Sequence, residues 1–137
     1  MNNTNKRISH FACISCMAEY PIQPFLYICD CGANLDVVYH YDQIQVSLSR
    51  KSLSVSQDHS LWRYYPLLPV NSLPDHLDFQ VGGTPLISFP MLASDLAIGT
   101  LLIKDDTRNP SGSLKDRASE VAIQHAVENG HDLLIAA

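Results

Sequence analysis

Asn109-Pro110-Ser111-Gly112-Ser113-Leu114-Lys115-Asp116-Arg117 decides how the second half of this 137-residue chain is read. Asn-Pro and Gly-Ser pairs mark a loop. After it, positions 114, 118, 121, 122 and 126 are apolar and fall on one helical face with a semi-apolar His125. A helix is therefore expected over residues 114–129. Ser113 is its N-cap, Asp116 completes a weaker form of capping box, and Gly130 ends it. Before the loop, Thr100-Leu101-Leu102-Ile103-Lys104 has the length and character of a buried strand. Beyond the helix, Leu133-Leu134-Ile135-Ala136-Ala137 begins another. Strand, loop, helix and strand make a βαβ unit, which implies a parallel sheet and an α/β fold. Upstream, Gly82-Gly83-Thr84-Pro85-Leu86 reads as a turn entering an extended segment, and residues 91–96 as a short helix or loop.

Lys115 stands in an unusual place. A helix N-terminus carries about half a positive charge, which disfavours a nearby ammonium. Its unpaired N–H groups suit an anion such as phosphate. An amine held there is a better nucleophile toward a carbonyl than an ordinary surface lysine. A basic residue that breaks the local rule without evident compensation marks a candidate functional position. Read as plain structure, Lys115 is a solvated side chain offset by Asp116 and Glu120, and Arg117 pairs with Glu120 one turn on.

The N-terminal third differs. All four cysteines lie there, as Cys13-Ile-Ser-Cys16 and Cys29-Asp-Cys31-Gly32. Two close cysteine pairs joined by a short connection can present four thiolates tetrahedrally to a structural zinc ion. A ribbon this small needs such a staple, because its own core is slight. His10 lies near Cys13 but is read as solvated. Phe25-Leu26-Tyr27-Ile28 and Leu35-Asp36-Val37-Val38-Tyr39 are strand-like. Residues 43–80 have little periodicity and form a connector, with a short helical piece near residues 61–65 and Trp62 as a hydrophobic anchor. The expected divisions are a zinc-ribbon-like module over 1–45, a connector over 46–80, and the α/β segment over 81–137.

Composition excludes several classes. A net charge of −5 with no clustered basic residues argues against nucleic acid. No apolar run reaches the ~20 residues needed to cross a bilayer. The first sixteen residues lack a signal-peptide core, so the cytoplasm is the expected compartment. In a reducing compartment, clustered cysteines point to metal rather than to disulfides.

The string around Lys115 resembles the cofactor-lysine motif of the fold-type-II pyridoxal-phosphate-dependent enzymes, threonine synthases in particular. Their pattern is Lys-x-Glu followed by Asn-Pro-Thr-Gly-Ser-Phe-Lys-Asp-Arg. Here Asp106 stands for Glu, Ser111 for Thr and Leu114 for Phe. Gly82-Gly83-Thr84-Pro85-Leu86 is similar to a second element of that family. Many threonine synthases also begin with a Cys-x-x-Cys, strand, Cys-x-Cys-Gly module, which residues 13–42 resemble. The likeness covers nearly the whole chain and favours threonine synthase over threonine dehydratase, which typically lacks the ribbon.

The resemblance implies specific roles. Lys115 would carry pyridoxal 5′-phosphate covalently and then move protons on the substrate carbons. Residues 109–113 would shape the loop beside the cofactor, and Asp116 and Arg117 would hold the helix start or face the substrate. Cys13, Cys16, Cys29 and Cys31 would hold structural zinc, although some relatives have lost these ligands. The full enzyme converts O-phosphohomoserine and water to threonine and phosphate, so the expected partner is a small phosphorylated amino acid, and a homodimer is the expected assembly. The family's Ser-Thr-Gly-Asn loop and its phosphate-gripping glycine loop would lie beyond Ala137. The chain is thus expected to be an N-terminal portion that is inactive alone. Three other readings stay open: another lyase or dehydratase of the same fold, a non-catalytic zinc-ribbon module, and one half of a split enzyme.

Overall fold

The computed structural model describes residues 6–75 and 79–135. Strand β1 (Ile8–Cys13) lies between β2 (Glu19–Tyr20) and β3 (Leu35–Tyr39) in a wholly antiparallel sheet. Phe11 stands opposite both Tyr20 and Val37, which stacks large side chains across the three strands. β3 lies where its β-branched run predicts. The other expected strand, residues 25–28, is not formed. Phe25 adopts φ 63°, and pairing is reduced to an isolated bridge between Ile28 and Asn34 and a bond from the Leu35 N–H to the Tyr27 carbonyl. Pro21 and Pro24 precede this stretch and lack the N–H a ladder needs. β1 takes the central position instead, although Ser9 and His10 break its apolar pattern.

The connector is more ordered than its sequence suggests. It holds α1 (Tyr41–Ser47), α2 (Arg50–Val55) and a 3-10 helix (Leu61–Leu67) that contains the expected helical piece. Ser49 and Ser52 cap α2 reciprocally through side chains and backbone, so the recurring serines work as helix punctuation. The 3-10 helix carries the core. Leu61, Trp62, Val70 and Val81 are buried together, with Tyr65, Leu68 and Val121 packed against them. Arg7 ties the ribbon to this unit: it donates to the Tyr65 and Val70 carbonyls, both at 2.9 Å, and its guanidinium lies 3.8 Å from the Tyr65 ring centre.

Beyond it follow β4 (Leu86–Ser88), α3 (Pro90–Asp95), β5 (Leu102–Lys104) and α4 (Lys115–Glu128). The architecture is α/β, but among the described residues the expected parallel sheet is not present. β4 and β5 pair antiparallel, with Leu86 opposite Lys104. Residues 133–135 join no strand, and positions 136 and 137 of the expected second strand lie outside the described residues. A parallel pair needs its crossover helix packed on the sheet; α4 packs on the connector instead.

That packing departs from the apolar face expected of α4. Of its apolar residues only Val121 joins the core, while Leu114, Ile123 and Val127 are exposed. The face toward the connector carries the polar row Glu120, Gln124 and Glu128, which Arg117 extends toward Thr84 and Asp106. Glu120 accepts from Trp62 Nε1 at 2.7 Å, and Gln124 Nε2 donates to Ser72 Oγ at 3.1 Å. Glu128 accepts from the backbone N–H groups of Asn71 and Ser72 at 2.8 and 2.7 Å. The row has helical spacing, so it is as periodic as an apolar stripe. Gly130 closes the helix at φ 76°, the left-handed position expected of it.

Candidate functional site

Lys115 is the first residue of α4 and is exposed. The expected N-cap, Ser113, lies one position outside the cap, its hydroxyl accepting from the Lys115 N–H at 3.2 Å. Leu114 occupies the boundary position with helical backbone, so the helix starts one residue later than its capping residue suggests. Asp116 does not reach back to form a capping box. It accepts from the Ser111 N–H at 2.8 Å and from the Ser111 hydroxyl, which pins the Pro-Ser-Gly turn to the helix start. Those two bonds hold the Asp116 carboxyl below its ordinary range, the hydroxyl being the stronger.

Arg117 does not pair with Glu120. It grips Asp106 with two bonds, Nε to Oδ2 at 3.0 Å and Nη2 to Oδ1 at 2.8 Å, and also donates to Thr84 Oγ1 at 3.0 Å. Thr84 is buried and donates to Asp106 Oδ1 at 2.5 Å. The Arg117 guanidinium and then the Thr84 hydroxyl hold the Asp106 carboxyl far below the usual aspartate range. Lys104 Nζ donates to the Thr84 carbonyl at 2.5 Å. Asn109, also buried, accepts from the Gly82 N–H at 3.0 Å and donates to the Asp106 carbonyl at 3.1 Å. Thus the Gly-Gly-Thr turn, the loop and the helix start are one hydrogen-bonded unit. Gly82, at φ 92°, is required by closeness: an added Cβ would lie 2.7 Å from the Leu61 nitrogen and 3.1 Å from Arg117 Nη1.

Trp62 and Glu120 form a second joint. Burial pushes the Glu120 carboxyl up against the bond from the indole, and its Oε2 is buried with no hydrogen-bond partner among the described residues. A cleft of about 490 Å³ runs beside this joint, walled by Trp62, Phe79, Pro110, Ser111, Asp116 and Ile123. It places apolar surface one turn from the lysine.

The cysteines converge as their spacing predicts. All four sulfurs lie within 4.8 Å of one another, with Cys13–Cys31 and Cys16–Cys29 each at 3.5 Å. A tetrahedron with Zn–S bonds of ~2.3 Å sets its sulfurs about 3.8 Å apart, so the cluster fits such an ion. Two tight turns present the pairs. The first closes through Met17 at φ 63°, whose N–H donates to the Cys13 carbonyl at 3.2 Å. The second closes through Gly32 at φ 86°, whose N–H donates to the Cys29 carbonyl at 2.8 Å. Cys13 and Cys29 are buried; Cys16 and Cys31 are exposed.

The electrostatics suit a cation. Backbone N–H groups of Cys16 and then Ser15 lower Cys13 to about 6. The Tyr20 hydroxyl and then the Cys31 N–H lower Cys29. At Cys31 the backbone at Ala33 favours the thiolate, but the neighbouring sulfurs, Cys29 first, oppose it and push it up to about 12. Four thiolates so close cannot all ionise unaided, and a dication reverses that balance. His10 is not part of the cluster: it lies 3.7 Å from Glu19 and bonds Ser9 Oγ. Spacing gives no hint of Tyr20, which is absent from the cysteine pattern. Asp106 carried a signal, its place two residues after Lys104 in the quoted motif.

The sequence is similar to those of known proteins. Residues 77–137 match the family model described as pyridoxal-phosphate dependent enzyme. Over this segment the chain is therefore similar to the pyridoxal-phosphate-dependent enzymes. Across most of its length the chain is similar to threonine synthases: 34% identical over 122 residues to that of Methanocaldococcus jannaschii and 36% over 129 residues to that of Methanosarcina acetivorans. These alignments cover 89% and 93% of this chain, and the chain spans about 30% of the length of those curated relatives. A shorter match, 43% over 65 residues, is to a 2-amino-4-ketopentanoate thiolase beta subunit from an unknown prokaryotic organism, covering 42% of this chain and 14% of that protein. No solved structure matches. Among the described residues no helix is long and apolar enough to cross a membrane.

Proposed function

We propose that this chain is the N-terminal portion of a threonine-synthase-like lyase, which makes threonine and phosphate from O-phosphohomoserine and water. The observation that carries the reading is the loop from Asn109 to Arg117, bonded to the Gly-Gly-Thr turn and presenting an exposed primary amine at the start of a 14-residue helix. That donor set fits an aldehyde cofactor. Pyridoxal phosphate, when bound, supplies an electron sink for negative charge on substrate carbons. Lys115 Nζ would be the amine that holds the cofactor, and it is placed to hold or move a proton beside the substrate. Ser113 Oγ holds the first N–H of α4. Arg117, clamped by Asp106 and Thr84, fixes the rotation of α4 and hence the direction in which Lys115 leaves it. Cys13, Cys16, Cys29 and Cys31 hold a structural zinc ion. The ribbon (1–45), connector (46–80) and cofactor segment (81–137) are the working divisions, and a homodimer is the proposed assembly of the full-length enzyme.

We take turnover to need more of the relatives' length than this chain supplies. A second reading, a different pyridoxal-phosphate reaction on a related amino acid, draws on the match to the thiolase subunit. The test is borohydride reduction of the chain with pyridoxal phosphate, followed by peptide mass mapping. A pyridoxyl group on Lys115, lost in Lys115→Ala, is expected; labelling spread over other lysines would overturn the site. Turnover of O-phosphohomoserine by the isolated chain would overturn its inactivity.

A further inference from the structure

We propose that Tyr20 is a positioning residue of the cysteine cluster, supplying by its hydroxyl the second hydrogen bond that Cys29 needs to serve as a buried metal ligand. The inference rests on the metal reading of the cluster and goes beyond it.

The two cysteine pairs differ by one residue, and the difference falls on their buried sulfurs. In Cys-Ile-Ser-Cys the turn is long enough to aim two backbone N–H groups, of Ser15 and Cys16, at Cys13 Sγ, each at 3.4 Å. In Cys-Asp-Cys the turn is shorter. Only the Cys31 N–H reaches Cys29 Sγ, at 3.5 Å, because the next N–H, of Gly32, is used on the Cys29 carbonyl at 2.8 Å. A buried thiolate with one donor would be underprovided relative to its counterpart.

Tyr20 fills the vacancy from outside the turn. Its hydroxyl lies 3.1 Å from Cys29 Sγ and accepts from the Asp30 N–H at 3.2 Å. A phenol has one proton to give. With its lone pair engaged by Asp30, that proton is directed at the sulfur. The ring is held in register opposite Phe11 by the β1–β2 pairing, so the hydroxyl is delivered by the sheet rather than by the cysteine turn. Each buried sulfur thereby receives two donors, while the exposed Cys16 and Cys31 are each favoured by one backbone group, at Ala18 and Ala33. Outer partners of this kind orient ligands and tune the metal, and their loss typically lowers affinity about 10–100-fold.

The test compares the full 137-residue chain with Tyr20→Phe, using zinc and cobalt(II) as probes. Zinc stoichiometry and affinity come from chelator competition, and the sulfur-to-cobalt charge-transfer band reports the thiolates directly. Wild type is expected to take one ion. Tyr20→Phe should take one ion about 10–100-fold more weakly, with the cobalt band moved to lower energy because one thiolate has lost a donor. Equal affinity and an unmoved band would overturn the role of Tyr20 and leave the metal reading intact. If wild type binds no metal through sulfur, both fail. If Tyr20→Phe does not fold, 3-fluorotyrosine at position 20 decides: a more acidic hydroxyl should shift the band to higher energy, and no shift overturns the proposal.

Discussion

The cysteine ribbon gathers its four sulfurs within residues 13–31, and most of the bonds that aim them come from two or three residues away. The lysine loop is fixed from far along the chain. Arg117 reaches Thr84, Glu120 meets Trp62, and Glu128 meets Asn71 and Ser72. A metal site can be specified by a short segment, because the ion supplies the cohesion a small core lacks. The start of α4 has no such partner within its own loop, and the direction of Lys115 is inherited from the packing of a whole helix.

Three substitutions would break or sharpen this contrast. The largest effect is expected from Trp62→Ala, which empties the core cluster and removes the donor to Glu120. It should lower stability by about 3–5 kcal/mol, measured by urea unfolding, while zinc stoichiometry at the cysteines stays at one. Loss of zinc uptake would mean that the ribbon leans on the connector through Arg7 more than its local bonds imply.

Asp106→Asn acts on the helix side alone. The folded carboxyl is depressed by Arg117 and Thr84, so it stabilises the fold fully above the ordinary aspartate value of about 4, and that contribution drains away as pH falls below it. Thermal melts between neutrality and acid should show this decline in wild type and a flatter profile in the variant. Parallel profiles would disprove the clamp. The variant should also weaken pyridoxyl labelling of Lys115 without altering the cysteines.

The smallest effect, and the only gain, belongs to the ribbon. Met17 holds φ 63°, a position unfavourable for a side chain and natural for glycine. Met17→Gly should stabilise the metal-loaded chain by about 0.5–1 kcal/mol, read as a rise in melting temperature. A fall would show that the Met17 side chain supports the ribbon despite its exposure.

Much of the fold was legible, for identifiable reasons. The run Leu35 to Tyr39, the helix after Ser113 and the cysteine spacing are local signals, and the structure follows each. β1 was hidden because Ser9 and His10 interrupt its pattern. Residues 25–28 misled because their composition suits a strand while the prolines before them do not. The docking face of α4 was misread because apolar periodicity is the usual guide, and here the periodic contacts are Arg, Glu, Gln and Glu. The clamp on Arg117 was out of reach, since nothing local says that Asp106 and Thr84 will stand beside it rather than Glu120. Tyr20 was missed for the same reason: its partner lies nine residues on, in the loop that carries the second cysteine pair.

The polar seam between α4 and the connector has a thermal consequence. Exposing apolar surface raises heat capacity, and exposing polar surface lowers it. Glu120, Gln124 and Glu128 supply the hydrogen bonds of the seam, with Val121 packed beside them, so parting the two elements should change heat capacity less than parting an apolar joint would. Cold therefore weakens this joint less than it weakens the cluster around Trp62. On chilling, the helix that carries Lys115 would keep its hold after the oily part of the connector had begun to loosen.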